Sequence, residues 1–154
     1  MSQQEYDYIV VGAGSAGSAL AARLSEDADK SVLLLEAGPK DTNFWIHLPI
    51  GYGKTMFNPK VNWCFNTESE PHLNNRKIYW PRGKTLGGSS SINGLVYIRG
   101  QAEDYDDWAR LGNKGWDYKS VLPYFLKLED NERGADKFHG QGGPLAISDM
   151  KASH

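Results

Sequence analysis

The sequence is poor in cysteine and has no long hydrophobic run. Cys64 is the only cysteine among 154 residues, so an intramolecular disulfide is excluded and a reducing compartment is favoured. No apolar stretch approaches the roughly 18 residues that a membrane-spanning helix needs. The first residues carry neither a cationic start nor an apolar run, which argues against a secretory signal peptide.

Charge of one sign is also scarce. The formal net charge is −2, from 17 Lys and Arg against 19 Asp and Glu. The chain therefore has no basic field to hold nucleic acid and no acidic block typical of a disordered tail. No cluster of histidine and cysteine has the spacing of metal ligands, so we predict no metal site.

Two short segments, 53–55 and 83–85, end like a phosphate-binding P-loop. That loop needs a further glycine five positions before its second glycine. Leu48 and Ile78 occupy those positions, which argues against hydrolysis of ATP or GTP.

Glycine is the residue in excess, with 17 in 154 residues, about 11% against a usual 7% or so. A first glycine segment, residues 12–17, follows an apolar run at 8–11 that predicts a strand buried on both faces. Apolar spacing predicts a helix over 18–25, and residues 31–36 predict a second buried strand. Residues 6–36 thus predict one βαβ unit with a parallel sheet and a right-handed crossover.

The first glycine segment has the Gly-x-Gly-x-x-Gly spacing of a dinucleotide-binding turn. Gly12 allows a tight turn, Gly14 lets the backbone approach a diphosphate, and Gly17 lets the helix pack closely on the strand. Glu36 follows Gly17 by 19 residues, close to the 20 or so expected for a ribose-binding carboxylate. An acid there would repel a 2′-phosphate, so FAD or NAD is favoured over NADP.

The middle of the chain, residues 40–80, is irregular and rich in aromatic residues. Only residues 63–68 and 77–80 have the pattern of strands. An irregular stretch of this length usually serves as a lid or a binding loop.

The last third of the chain predicts two helices and a strand. The helices are expected over 103–111 and 120–129, with Ser120 as the N-cap of the second helix and Pro123 in its first turn. Residues 145–148 predict a strand.

A second glycine segment, residues 82–94, reads Arg-Gly-Lys-Thr-Leu-Gly-Gly-Ser-Ser-Ser-Ile-Asn-Gly. It offers small side chains, free N–H donors and hydroxyls for a further contact with a diphosphate or a flavin ring. Its composition alone is equally compatible with an ordinary flexible loop.

The second glycine segment resembles the glucose–methanol–choline (GMC) oxidoreductase family, in the order Gly-Lys-x-Leu-Gly-Gly-Ser-Ser-x-Ile-Asn. The first glycine segment and Leu-Leu-Glu-Ala-Gly at 34–38 are also similar to that family's FAD-binding start. The resemblance covers essentially the whole chain. Within the family it is closest to bacterial alcohol and choline dehydrogenases, especially the branch acting on aliphatic alcohols.

The resemblance implies a set of FAD contacts. The diphosphate would be held by Gly12, Gly14, Ser15, Ala16 and Gly17. Glu36 would bind the adenosine ribose. The diphosphate and ribityl chain would be approached by Arg82, Gly87 and Gly88. The isoalloxazine ring would be lined by Asn93, Gly94, Leu95 and Val96. Family members with covalently bound flavin carry a histidine near the position of Ile92, so we predict non-covalent FAD.

The resemblance also implies a domain organisation of α/β class. Residues 1–39 would form the first βαβ unit of a Rossmann-like FAD-binding domain, and 40–80 the irregular segment covering the flavin. Residues 81–112 would make the second FAD contact, and 113–154 would begin a truncated substrate domain. Because a doubly wound domain needs more βα units, we expect an incomplete part of a longer enzyme, with a small independent domain as the alternative.

The activity implied is oxidation of a primary alcohol, aliphatic or choline-like, to an aldehyde by hydride transfer to flavin N5. A quinone or another acceptor would then take the electrons. The family's base is a histidine near the C-terminal end, and the four histidines here favour structural or surface roles. We therefore assign no catalytic residue, and expect residues 1–154 alone to be inactive. The expected location is cytoplasmic, with peripheral association with the inner membrane.

Three alternatives stay open at this point. One is an NAD-dependent dehydrogenase, which leaves residues 82–100 unexplained. Another is a non-catalytic nucleotide-binding module. The third is a family relative that cleaves cyanohydrins, since it would share the flavin site. The oligomeric state is not predicted.

Overall fold

The computed structural model describes residues 4–150, which form two compact units. The first unit ends at Val96 and the second begins at Tyr97. This boundary falls inside the predicted 81–112 segment.

The first unit begins with the predicted βαβ arrangement. Strand β1 (Tyr8–Val11) is followed by helix α1 (Ser15–Leu24) and strand β2 (Val32–Leu35). The two strands pair in parallel, with Tyr8 opposite Val32 and Val11 opposite Leu35. Helix α1 begins three residues earlier than predicted, because Gly14, in an extended conformation, is its N-cap.

The prediction that these strands are buried on both faces is wrong for the described residues. Val10 is buried, but Ile9 is 59% exposed and Val11 is 81% exposed. In residues 4–150, β1 pairs only with β2 and α1 packs against this two-stranded sheet. No other described element covers the opposite face.

The rest of the first unit consists of short elements, as its irregular composition predicts. Helix α2 (Tyr52–Thr55) follows two 3₁₀ turns, and strands β3 (Phe65–Asn66) and β4 (Tyr79–Trp80) form an antiparallel pair. Both strands lie within the predicted strand-like segments. The 3₁₀ turns of this unit are Phe44–His47, Pro49–Gly51, Pro71–Leu73 and Gly88–Ser91.

The second unit contains helices α3 (Ala102–Arg110) and α4 (Tyr118–Leu128), then strands β5 (Glu129–Asn131) and β6 (Leu145–Ile147). The two helices pack together. Aromatic side chains from the helices and from the connection between them form a cluster of edge-on and tilted rings: Tyr105, Trp108, Trp116, Tyr118 and Phe125. Strands β5 and β6 pair in parallel, with Glu129 opposite Leu145.

Three details of the second helix differ from the sequence prediction. Its N-cap is Asp117, whose carboxylate accepts the Ser120 N–H at 3.1 Å, so Ser120 is not the cap. Because the helix begins at Tyr118, Pro123 lies in its interior, where it removes one backbone hydrogen bond. Glu129 ends the helix and begins β5, a strand that the sequence reading missed.

None of the helices within residues 4–150 combines the length and the apolar character needed to cross a bilayer.

Candidate cofactor-binding site

A pocket of about 730 Å³ opens in the first unit, where the carboxyl ends of β1 and β2 meet the N-terminus of α1. This volume is within the range of sites for small molecules and cofactors. Eight of the predicted FAD-contacting residues line it, namely Gly12, Gly14, Ser15, Ala16, Gly17, Glu36, Arg82 and Gly88.

The first glycine segment makes the turn from β1 into α1. Gly12 has φ +94°, and its N–H donates to the Leu35 carbonyl at 2.7 Å. A Cβ placed on Gly17 would lie 1.8 Å from the Gly12 oxygen, so the helix can start this close to the turn only with glycine at position 17. The N–H groups of the first turn of α1, which have no partner within the helix, therefore lie at the pocket.

Glu36, at the end of β2, is held by two backbone donors. Its Oε2 accepts the Ala13 N–H and its Oε1 accepts the Gly38 N–H, both at 2.8 Å. These bonds join the first glycine segment to the chain after β2. Each carboxylate oxygen keeps acceptor capacity for a ligand hydroxyl, so the geometry suits the predicted ribose contact.

The two glycine segments meet at the pocket. The Gly87 N–H donates to the Ala13 carbonyl at 2.8 Å. Gly88 has φ +56°, and a Cβ placed on it would lie 2.7 Å from the Gly14 Cα. The Ser15 and Ser90 hydroxyls are hydrogen-bonded to each other. One pocket thus receives bare backbone from both segments, which suits a ligand with a diphosphate at its centre.

The second glycine segment is also fixed to the chain that follows β2. Thr85 is fully buried, and its hydroxyl donates to the Pro39 carbonyl at 2.9 Å. The Leu86 N–H donates to the same oxygen at 3.0 Å. A Cβ on Gly38 would lie 1.9 Å from the Lys84 oxygen. The pocket therefore rests on a closely packed backbone, and the second glycine segment is not a flexible loop there.

Arg82 brings a guanidinium to the pocket, next to Ser89. The Ser89 oxygen accepts the Gly83 N–H at 3.1 Å and lies 3.5 Å from Arg82 Nη1. Because its oxygen accepts twice, the Ser89 hydroxyl proton is available to a ligand. A guanidinium, a hydroxyl and helix N–H groups together form an anion-binding set.

Several residues that line the pocket were not among the predicted contacts. Two of them, Trp63 and Ser89, have side chains that can bind a ligand, through an aromatic ring and a hydroxyl. Trp63 is 42% exposed; its ring stacks on Phe65 with centroids 5.9 Å apart, and Lys84 Nζ is 4.4 Å from its ring centroid. The backbone N–H of Trp63 donates to the Arg82 carbonyl at 2.9 Å. The sequence assigns Trp63 no site role, because only pairing with the distant residue Arg82 brings its ring to the pocket.

Five predicted residues do not line the pocket. Gly87 lies next to it through its bond to Ala13. The others end the first unit: Asn93, Gly94, Leu95 and Val96. Leu95 has φ +62°, its N–H donates to Asn93 Oδ1 at 2.8 Å, and its side chain is 61% exposed. Their role at a flavin ring stays a prediction.

None of the histidines in residues 4–150 is among the residues that line the pocket. His47 Nε2 lies 2.5 Å from the Asp41 carbonyl. His139, in the second unit, is hydrogen-bonded to Asp136 at 3.0 Å. This bond, together with hydrogen bonds from the Phe138 and His139 N–H groups, lowers the pKa of the Asp136 carboxyl to about 2. His154 lies outside the described residues. No group of His, Cys, Asp and Glu within residues 4–150 is arranged to hold a metal ion.

Comparison with known proteins gives a family match over almost the whole chain. The family model described as GMC oxidoreductase matches residues 6–154. An alcohol dehydrogenase [acceptor] of Pseudomonas putida is 55% identical over 147 residues, which is 95% of this chain and 27% of that protein. The mitochondrial choline dehydrogenase of Homo sapiens is 49% identical over 160 residues, covering 99% of this chain and 27% of its own length.

Solved structures match the fold as well. A pyridoxine 4-oxidase from Mesorbium loti has a TM-score of 0.85 and 40% identity, covering 92% of this chain and 28% of that one. An FAD-dependent oxidoreductase from Chaetomium thermophilum has a TM-score of 0.78 and 35% identity, covering 94% and 26%. The chain thus spans about a quarter of the length of the proteins that it matches.

Proposed function

Since the chain belongs to the GMC oxidoreductase family, as its motifs predict, we propose that it forms the FAD-binding part of an enzyme that oxidises a primary alcohol to an aldehyde. The α/β class expected from the resemblance is likewise confirmed. The names of the relatives, alcohol dehydrogenase [acceptor] and choline dehydrogenase, support an aliphatic or choline-like alcohol. The observation that carries the proposal is the pocket in which the two glycine segments meet.

The pocket fits the adenosine diphosphate part of FAD. The diphosphate lies, in this proposal, against the N-terminus of α1 and the bare backbone of Gly14 and Gly88, with Arg82 compensating its charge. Glu36 accepts the ribose hydroxyls and would repel a 2′-phosphate. Trp63 adds an aromatic surface at the same pocket.

The redox chemistry belongs to the cofactor. When bound, FAD supplies the hydride acceptor, flavin N5, for the alcohol carbon. The described residues hold and orient the dinucleotide, and Asn93–Val96 are proposed to lie along the isoalloxazine ring. Removal of the hydroxyl proton is not assigned to a residue here, because no histidine of residues 4–150 lines the pocket.

We propose further that the FAD is dissociable. Ile92 occupies the position at which covalent members of the family are expected to carry histidine. It is 5% exposed, and its side chain has no nucleophilic atom with which to form a bond to the flavin. The electron acceptor in this proposal is a quinone or a comparable carrier, at a cytoplasmic location with peripheral membrane association.

Anaerobic reduction of the flavin tests the proposed activity. The complete enzyme, of which residues 1–154 are proposed to form the FAD-binding part, is purified, saturated with FAD and mixed with choline or with primary aliphatic alcohols, and the visible absorption of the flavin is recorded. The expected result is substrate-dependent bleaching, formation of the aldehyde, and reoxidation by an added quinone. A colourless protein that reduces NAD with the same alcohols contradicts the proposal.

A further inference from the structure

Asn62 is a buried polar residue that does not itself line the pocket. Its side chain is 1% exposed, and both ends of its amide have hydrogen-bond partners. The amide oxygen accepts the Cys64 N–H at 2.9 Å and the Arg82 N–H at 2.8 Å. A buried amide with a full set of partners holds those partners in one geometry.

The nitrogen end of the same amide is anchored on the opposite side. Asn62 Nδ2 donates to the Met56 carbonyl at 2.5 Å and to the Tyr79 hydroxyl at 3.1 Å. The Tyr79 hydroxyl in turn donates to the Met56 carbonyl at 2.6 Å. The backbone N–H groups of Cys64 and Arg82 can only donate, and the Met56 carbonyl can only accept. The hydrogen bonds therefore determine which end of the Asn62 amide is oxygen and which is nitrogen.

Asn62 lies where the backbone of 61–63 runs beside that of 82–84. The Trp63 N–H donates to the Arg82 carbonyl at 2.9 Å, and the Lys84 N–H donates to the Val61 carbonyl at 2.8 Å. The Asn62 oxygen adds a bond to Arg82 itself, so one side chain joins the two segments that bring Trp63 and Arg82 to the pocket.

The bond from Asn62 to Cys64 holds an unfavourable backbone conformation. Cys64 has φ +54°, in the left-handed region that residues other than glycine rarely adopt. Such a conformation persists only when its surroundings hold it. The Asn62 side chain therefore fixes Trp63 in two ways. It holds the backbone of the next residue, Cys64, and it holds Arg82, whose carbonyl accepts the Trp63 N–H.

We propose that Asn62 is a positioning residue of the cofactor pocket, which sets the Arg82 guanidinium and the Trp63 ring against FAD through hydrogen bonds to the Arg82 and Cys64 backbones. The inference rests on the proposed function, because it takes FAD as the ligand. It adds to that function a residue that does not itself line the pocket.

The test compares two variants that disturb the same buried cluster in different ways. Asn62→Leu removes the acceptor for the Arg82 and Cys64 N–H groups. Tyr79→Phe, the matched control, removes only the hydroxyl and leaves both of those bonds intact. FAD affinity is measured by titration of flavin fluorescence, and thermal unfolding of the apoprotein is recorded for each protein.

We expect Asn62→Leu to weaken FAD binding about tenfold or more, and Tyr79→Phe to change it by less than about threefold, although both lower the melting temperature. Asn62→Ser, whose shorter side chain leaves room for water, provides the same comparison if leucine prevents folding. The expected weakening is then smaller but still exceeds that of Tyr79→Phe.

A double-mutant cycle separates positioning from general loss of stability. If Asn62 acts through Arg82, its substitution weakens FAD binding by a smaller factor in an Arg82→Ala background than in the unaltered protein. Equal factors in both backgrounds, or equal weakening by Tyr79→Phe, overturn the inference alone. Failure of the unaltered protein to bind FAD overturns the proposed function, and this inference with it.

Discussion

Gly14 and Gly88 lie backbone against backbone, although 74 positions separate them in the sequence. A Cβ on Gly88 would be 2.7 Å from the Gly14 Cα, closer than real Cβ contacts come, and Gly88 has φ +56°. The first glycine segment and the second glycine segment can therefore come this close only while position 88 is glycine.

Gly88→Ala is predicted to abolish or strongly weaken FAD binding. The added methyl group meets backbone that cannot yield as a flexible side chain would, and a positive φ is strained for alanine. Titration with FAD measures the effect. Gly53→Ala is the matched control, because Gly53 has open space at its Cβ position and lies in helix α2. Equal FAD affinity for the two variants would contradict the role given to the contact.

Glu36→Gln is predicted to weaken FAD binding by roughly tenfold to a hundredfold, since hydrogen bonds to a charged group are worth about 1.5–3 kcal/mol. One oxygen still accepts a backbone N–H, but the new NH₂ group faces the second N–H, from Ala13 or Gly38. Glu36→Asp keeps the negative charge but shortens the side chain by one methylene group. Comparing the two variants therefore distinguishes the contribution of the charge to FAD affinity from that of the carboxylate position. Unchanged affinity in Glu36→Gln would remove Glu36 from the site.

The buried ion pair of the second unit gives a prediction about stability. Arg99 Nη2 donates to Glu129 Oε2, and the two side chains are 12% and 0% exposed. Glu129 also accepts from Asn131 Nδ2 at 2.8 Å. Arg99→Met leaves a buried carboxylate without its cation, and is predicted to lower the free energy of unfolding by about 3–5 kcal/mol. Urea denaturation measures this.

The double variant Arg99→Met, Glu129→Leu is the control for that prediction. With both charges replaced by apolar groups of similar size, much of the lost stability is expected to return. A double variant that is less stable than Arg99→Met alone would contradict this expectation. It would show that Glu129 stabilises the unit even without Arg99.

Asp117 gives a prediction about pH. Hydrogen bonds from the side chain and backbone of Ser120 lower the pKa of the Asp117 carboxyl below its ordinary 3.8. A group whose pKa is lowered by folding stabilises the folded state above its ordinary pKa, and this contribution is lost as the pH falls through the folded pKa. Asp117→Ala is therefore predicted to melt a few degrees lower at neutral pH.

The same substitution should have progressively less effect as the pH falls from about 3.8 through the lower pKa of the folded state, because the Asp117 carboxyl of the unaltered protein then becomes protonated. Ser120→Ala is the control, since it removes the hydroxyl bond but keeps the N–H of residue 120 on Asp117. A melting difference that is constant from neutral to acid pH would contradict the capping role.

Local patterns were sufficient to predict β1, α1 and β2, because an apolar run, a glycine turn and an amphipathic spacing all lie within about 30 residues. The resemblance to the GMC family supplied the predicted cofactor contacts, and eight of those residues line the pocket, although their contacts with FAD stay a prediction. Local patterns could not predict Trp63, whose place depends on pairing with Arg82, or β5, which follows a helix without any break in composition. Ile9 and Val11 are exposed because helix α1 packs on one face of the β1–β2 sheet and no other described element covers the opposite face.

Cofactor selectivity is the most direct test of the account. The purified apoprotein is titrated separately with FAD, NAD and NADP, and binding is followed by flavin fluorescence for FAD and by calorimetry for all three. We expect FAD to bind with one site per chain, denaturation to release all of the flavin, and neither NAD nor NADP to compete with it. Binding of NAD without binding of FAD would contradict the account.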